Sequence, residues 1–422
     1  MTSAHATAQS TAQTATNAVT KKTGPLAGLR VVEFAQIMAG PVAGLMLSDM
    51  GAEVIKVEKL PGGDDTRRFA PLVNGESTAF MMLNRSKRSV ALNLKDPAAL
   101  AAAHALVRNA DVVIENFRAG TMDKLGLGYA ALKAINPGLI YLTVTGYGLT
   151  GPDAAKGGFD LVAQGISGLM RVTGHPGMPP AKVGSPVCDI NAGILGALGV
   201  VAAYVHKLKT GEGQHVDTSL LEAGVQQTYW QAAAFFGTGI EPSALGSAHP
   251  LTAPYQSFQT ADGWINVGGS NEPNWKRICA ALEKPALLED PRFADNTARM
   301  QHLDALIPLL SEEFLTRPSA HWLTLFDAAG VPAGPVNLVS QALADPQVRA
   351  RGMVVEAPHP VAGTARSLGL PIKFSAAPVP AASRAPLLGE HTREVLREAA
   401  VDESGIAAML ASGAAHAAAS VE

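Results

Sequence analysis

At 422 residues, 47% hydrophobic and 16% charged, the chain has the size and composition of a globular protein with more than one domain, or one large domain carrying an insert. Its 33 basic and 36 acidic residues give a net charge of −3 without a long Lys/Arg run, which excludes the electrostatic footprint of a nucleic-acid or polybasic membrane binder. Two cysteines, Cys188 and Cys279, make neither a disulfide framework nor a paired metal site, and the 11 histidines lack HxH or HExxH spacing, so no metal and a reducing compartment are expected.

Residues 1–23 are mostly Ala, Thr, Ser and Gln and lack the apolar core of a signal peptide, so they predict a disordered arm. A soluble, cytoplasmic protein is expected. LRVVEFA (29–35) reads as a strand, AGPVAGLMLSDMGA as a helix and EVIKVEK (53–59) as a second strand, together a βαβ unit. The unit repeats, with a helix over 96–110, a strand over 111–117, a turn and helix ending near Asn136-Pro137-Gly138, and a strand over 139–148. Apolar strands separated by helices imply a doubly wound, Rossmann-like parallel sheet covered on both faces. No window approaches about 18 uninterrupted strongly apolar residues, and the run Ala192 to Val205 reads as a buried helix too short to span a membrane.

From about Gly213 the pattern changes to long aromatic-bearing helices, then a hairpin over 255–269 centred on Ala261-Asp262-Gly263. Helices follow through 274–330, Gly330 to Pro335 reads as a return connection, and 369–396 as a strand, a proline-bearing strap and a last helix. The segment Gly126-Leu127-Gly128-Tyr129-Ala130-Ala131 has the loose GxGxxA form of a dinucleotide fingerprint, but it follows a helix rather than a strand and is discounted.

Asp189 is a lone carboxylate in GSPVCDINAGILGALGVVAAYV, where a long apolar helix should begin. It is either a helix N-cap or a nucleophile, and a helix terminus that keeps it ionised would serve both roles. Cys188 beside it has no basic partner nearby and reads as a buried small hydrophobe.

Blocks along the chain, among them GPLAGLRVVEFAQIMAGPVAGLMLSDMGAEVIKVEKLPGGDDTR, VVIENFRAGTMDKLGLGY, VTGYGLTGP, PPAKVGSPVCDINAG, KTGEGQHVDTSLLEA and APLLGEHT, resemble in order the class III CoA-transferases, the CaiB/BaiF family. The resemblance runs over roughly residues 24–397. It implies a large doubly wound domain built from both chain ends, a smaller inserted α/β domain, and an interlocked homodimer. On that basis 24–220 is the first part of the large CoA-binding domain, 221–245 linker helices, 246–335 the small domain, 336–400 the return segment and 401–422 a flexible tail.

The resemblance also implies the chemistry: CoA moves from an acyl-CoA to a carboxylic acid through an aspartyl anhydride and an aspartyl-CoA thioester on Asp189, with the thioester as substrate and no permanently bound cofactor. The positions matching the family's CoA contacts are Met38, Ala39, Lys59, Leu92, Asn93, Leu94, Lys95, Asn116, Phe117, Arg118 and Lys124, with Arg67, Lys87 and Arg88 as weaker members. Gly146, Tyr147 and Gly148 are expected along the pantetheine path, and Phe159, Gly246, Ser247 and His249 near the substrate.

Met38 stands where formyl-CoA/oxalate enzymes carry a Gln, and Phe159 stands where the α-methylacyl-CoA racemases carry the His of a two-base mechanism. Tyr229 and Trp230 alone do not identify a trimethylammonium site. Overall resemblance to dicarboxylate-using members of the family implies succinyl-CoA or another dicarboxyl-CoA as the donor, with a racemase-like enzyme or a non-catalytic acyl-CoA-binding homologue as the alternatives.

Overall fold

The computed structural model describes residues 23–419, so all but the last residue of the predicted N-terminal arm lies outside the described residues. Val- and Ile-rich runs fit a pleated sheet buried on both faces. They form β1 (Arg30–Glu33), β2 (Glu53–Lys59), β3 (Arg88–Leu92), β4 (Val112–Glu115) and β5 (Ile140–Thr145), joined by the more polar β6 (His215–Ser219). These strands are parallel in the order β3-β2-β1-β4-β5-β6, with Val31 pairing Val54 on one side and Val112 on the other.

The strand order reverses between β1 and β4. In a doubly wound sheet the loops leaving the carboxyl ends of strands diverge at that point and open a crevice. Neither β3 nor β6 is anticipated from the sequence, because each is short and lies in a polar context.

Period-two alternation sends the strand residues to two cores. Val31, Val54, Val112, Ile114, Ile140 and Leu142 pack with Ala43 and Leu47 of α1 (Ala39–Asp49) and Ala192, Ala197, Val200 and Ala203 of α3 (Val187–Thr210). Val32, Ile55, Val57, Val90 and Val113 pack with Ala102 and Leu106 of α2 (Pro97–Arg108), and with Val395 and Leu396 of α5 (Thr392–Glu398). Each large apolar side chain buried in this way contributes roughly 1.5–3 kcal/mol before entropy is counted.

Helix α3 corrects the expectation of a short apolar run: its 24 residues are long and apolar enough to cross a membrane by length and composition. Its small residues nevertheless form a seam against α1 and the sheet. A Cβ at Gly193 would lie 2.6 Å from the Ala39 carbonyl oxygen and 2.7 Å from the Val42 side chain, and one at Gly196 would lie 2.9 Å from Leu142.

The predicted hairpin is β7 (Tyr255–Gln259) and β8 (Trp264–Gly268), with β9 (Ala333–Pro335) antiparallel on the far side of β8. Phe258, Ile265, Trp275, Phe314, Trp322 and Phe326 form a separate core beneath it. Between Gln226 and the hairpin lies α4 (Tyr229–Thr238), which buries none of its residues.

Two readings of the carboxyl end are corrected. The strand expected at 369 ends instead at Leu368, pairing Gly363–Leu368 with Val354–His359 before Pro371, so the strap begins earlier. The tail expected to be flexible from 401 contains α6 (Glu403–Ser412) and β10 (Ala415–His416), which adds an antiparallel edge strand to β3. Ile406 and Met409 supply the apolar contacts, and the Asn93 N–H donates to the Ala414 carbonyl at 2.8 Å.

Candidate active site

Two cavities open at the carboxyl ends of the parallel strands and meet at Gln36 and Phe117. The first, about 290 Å³, is lined by Lys59 after β2, by Leu92, Asn93, Leu94 and Lys95 at and after β3, and by Phe117 after β4. The second, about 310 Å³, is lined by Ile37, Met38 and Ala39 after β1, Asn116 and Arg118 after β4, Gly146 after β5, the segment Lys156-Gly157-Gly158-Phe159, and Asp189. The fold thus brings together residues spread over more than 150 positions because all leave the same edge of one sheet.

Asp189 is the third residue of α3, whose N-cap residue, Pro186, supplies no side-chain hydrogen bond. The capping alternative is therefore corrected: the helix starts three residues earlier than a cap at Asp189 requires. A different carboxylate serves the first turn, since Asp160 Oδ1 accepts from the Cys188 N–H at 2.9 Å. Burial and then the nearby charge of Asp160 push the Asp189 carboxyl up to about 6. The environment thus opposes ionisation, against the expectation that the helix terminus would favour it. Cys188 is fully buried and its thiol is pushed up to about 12, mainly by burial, which removes it as a rival nucleophile at neutral pH.

Small residues shape the wall opposite Asp189. Gly146 and Gly158 touch through their backbones: a Cβ at Gly146 would lie 2.6 Å from Gly158 Cα. Arg118 lies over Gly157, where a Cβ would come 2.9 Å from the guanidinium. Phe159 is 69% exposed, and it places an apolar ring in the cavity wall where a proton acceptor would be needed for two-base chemistry.

Several predicted site residues are elsewhere. Arg67 is bound to Glu58 at 2.6 Å, Lys87 to Glu33 at 2.8 Å and Arg88 to Glu398 at 2.8 Å, so these cations balance buried or half-buried carboxylates. Lys124 is exposed and lines neither cavity, whereas the next residue, Leu125, lines the first. Lys59 stands at the rim and donates to Asp65 at 2.9 Å. Tyr147 lines neither cavity, and Gly148 serves the turn by donating to Thr145 Oγ1 at 2.8 Å.

Gly246, Ser247 and His249 do not line the Asp189 cavity. Gly246 donates to the Gly174 carbonyl at 2.7 Å, Ser247 Oγ accepts from Ser257 N–H at 3.0 Å, and His249 Nδ1 accepts from Leu251 N–H at 3.1 Å. The His249 N–H donates to the Tyr255 carbonyl at 3.0 Å, which ties the loop to the small sheet. Gly246 and His249 instead border a separate cavity of about 550 Å³ with Trp230 of α4.

A family model described as CoA-transferase family III matches residues 26–392. The chain belongs to this family. It is 41% identical over 381 residues to the succinate–glutarate CoA-transferase of Agrobacterium fabrum, covering 89% of this chain and 95% of that one. It is 37% identical over 391 residues to the succinyl-CoA:glutarate CoA-transferase of Mus musculus, covering 92% and 90% of the two chains. Its structure resembles that of a CAIB/BAIF family protein from Brucella suis with a TM-score of 0.82 and 39% identity, covering 90% of this chain and all of that one. The resemblance stated from the sequence blocks is borne out.

For this CoA-transferase, the sequence reading passed over Gln36, Asp160 and the buried charges Glu33, Lys56, Glu58 and Asp64. A signal was present: Lys56 and Glu58 sit inside the apolar strand EVIKVEK, where charge is tolerated only when it is paired.

Proposed function

We propose that this enzyme transfers CoA from succinyl-CoA or another dicarboxyl-CoA to a carboxylic acid, with Asp189 as the nucleophile. The observation that carries the reading is a half-buried carboxylate in the wall of the second cavity, raised to about 6 and so mostly ionised yet weakly solvated at neutral pH. The Asp189 carboxylate attacks the thioester carbonyl and the CoA thiolate leaves, giving a mixed anhydride. The thiolate then attacks the aspartyl carbonyl, releasing the donor acid and leaving an aspartyl-CoA thioester. The acceptor carboxylate attacks that thioester, and the thiolate returns to the acceptor's carbonyl to give the new acyl-CoA and free Asp189. Each step exchanges one activated acyl bond for another, so no external energy source is needed, only exclusion of water.

The first cavity suits the nucleotide end of CoA, with Lys59 and Lys95 at its wall, and the second suits the reacting end. Arg118 and Lys156 line the same cavity as Asp189, which supports a substrate with a second carboxylate, as do the dicarboxylates for which the relatives are named. Homodimerisation belongs to the same reading. Phe236 is 84% exposed, Val339 77% and Trp230 71%, large apolar side chains that a partner subunit would cover. A soluble, cytoplasmic setting is part of the same proposal.

Purified protein incubated with succinyl-CoA and isotopically labelled dicarboxylates should form the labelled acyl-CoA, and denatured samples should carry added mass on the peptide containing Asp189. Exchange that survives Asp189→Ala would sink the mechanism. Light scattering of the eluted protein should give twice the chain mass, and a monomer would remove the dimer.

A further inference from the structure

We infer that Asp64 is a positioning residue for the loop facing Asp189, and that it acts by holding Ile37 in a left-handed backbone conformation; the inference rests on the transferase reading above. Ile37 has φ 68°, a region that a β-branched residue occupies only under constraint. The constraint is visible on both sides of it. Its N–H donates to Asp64 Oδ1 at 3.1 Å and Oδ2 at 3.3 Å. The preceding Gln36 is gripped by one side chain at both ends: its N–H donates to Asn116 Oδ1 at 2.9 Å, and its carbonyl accepts from Asn116 Nδ2 at 2.8 Å.

The carboxylate of Asp64 is itself fixed. It is 2% exposed, accepts from Thr66 N–H at 2.9 Å and Oγ1 at 2.8 Å, and pairs with Lys56 Nζ at 2.9 Å. Lys56 also donates to Glu33 Oε1 at 2.9 Å and to the Ala35 carbonyl at 2.8 Å, which ties the same ammonium to the strand end and to the loop. Lys87 balances Glu33, so the four buried charges sum to zero.

Burial alone would lower Lys56, but Glu33, Asp64 and Glu58 outweigh it and hold it charged; burial alone would raise Asp64, but Lys56 and the Thr66 donors hold it ionised.

What the clamp delivers is the next two residues. Met38 and Ala39 line the cavity that contains Asp189, and the Ala39 carbonyl abuts Gly193, one turn further along the helix that carries Asp189. A relaxed Ile37 would turn the Met38-Ala39 segment away from its seat on Gly193 and open the space beside the reacting carboxylate. A loss of this kind falls on the chemical step, because the cavity must close around the anhydride, more than on the nucleotide end of CoA.

The test compares wild type, Asp64→Ala and Asp64→Ala/Ile37→Gly in the succinyl-CoA exchange assay, because glycine adopts φ 68° without strain. Asp64→Ala should lower kcat by about tenfold or more with KM for the acyl-CoA changed less than about threefold, and adding Ile37→Gly should restore most of kcat. An unchanged kcat, a rise confined to KM, or a double variant no better than Asp64→Ala would overturn the assignment.

If Asp64→Ala does not fold, amide hydrogen exchange on the wild type decides. The Ile37 amide should exchange as slowly as that of Val32 in β1, and exchange at the rate of an open loop overturns the clamp. Wild-type protein without any Asp189-dependent exchange defeats the transferase reading instead, and the amide measurement still judges the clamp.

Discussion

Replacing Asp189 by Asn should stabilise the protein, and by an amount that depends on pH. Burial and Asp160 raise this carboxyl from 3.8 to about 6, so the native state binds its proton more tightly than the unfolded chain does. Stability then falls as pH rises from near the unfolded value through the folded one, and the cost is complete above about pH 7. At about 1.4 kcal/mol per pKa unit, the wild type should carry a cost of about 3 kcal/mol at pH 8 and about half that at pH 5. Asn is nearly isosteric and stays uncharged, so it removes the cost at both values. Its amide must find partners, which brings the expected gain at pH 8 to about 1–3 kcal/mol. Urea unfolding of wild type and Asp189→Asn at pH 5 and pH 8 measures the difference. A gain that grows with pH supports the assignment. A pH-independent difference, or a variant less stable than wild type at pH 8, refutes the claim that a raised, half-buried carboxylate sits in this cavity. On the proposed mechanism kcat/KM should rise with pH through an apparent pKa near 6, as the attacking form of Asp189 appears.

Gly193→Ala forces a methyl to within 2.6 Å of the Ala39 carbonyl, so the α1–α3 seam should open, with a loss of about 1–3 kcal/mol in unfolding free energy and a fall in kcat. Removing residues 401–422 strips α6 and β10 from the sheet. The midpoint of thermal unfolding should fall, and KM for the acyl-CoA should rise because Asn93 at the first cavity loses its bond to Ala414. Arg118→Ala should raise KM for dicarboxylates more than for a monocarboxylate of equal length, measured by competition in the exchange assay; equal effects on both would remove Arg118 from recognition of the second carboxylate. Phe236→Glu should shift the mass in light scattering from two chains to one, because a carboxylate at an 84% exposed ring costs nothing until that surface is buried.

Much of the site was legible because its residues lie in short blocks at strand ends. Met38 and Ala39 after β1, Leu92 to Lys95 at and after β3, and Asn116 to Arg118 after β4 all line the two cavities, as the resemblance to the family implies. Charge identity was a poorer guide. Lys59, Arg67, Lys87, Arg88, Arg118 and Lys124 look alike in one dimension, yet the fold buries Lys87 against Glu33, leaves Lys124 exposed and lays Arg118 over Gly157. Pairing partners separated by tens or hundreds of positions, such as Arg88 with Glu398, leave no local pattern. His249 misled for a similar reason: its loop hydrogen-bonds to the small sheet, which no spacing in the sequence announces.

The sequence by itself determined the strand and helix succession of the amino-terminal half, membership of the CoA-transferase family, and the singling out of Asp189, because periodicity, turn chemistry and ordered motifs are local. Tertiary structure alone decided that Asp160 takes over the capping of α3, that burial rather than the helix terminus governs the Asp189 carboxyl, that four buried charges pin a strained Ile37, and that the last residues close the sheet as β10. Each of these depends on which distant groups share a low-dielectric interior. That is set by the packing of whole elements and not by any segment read alone.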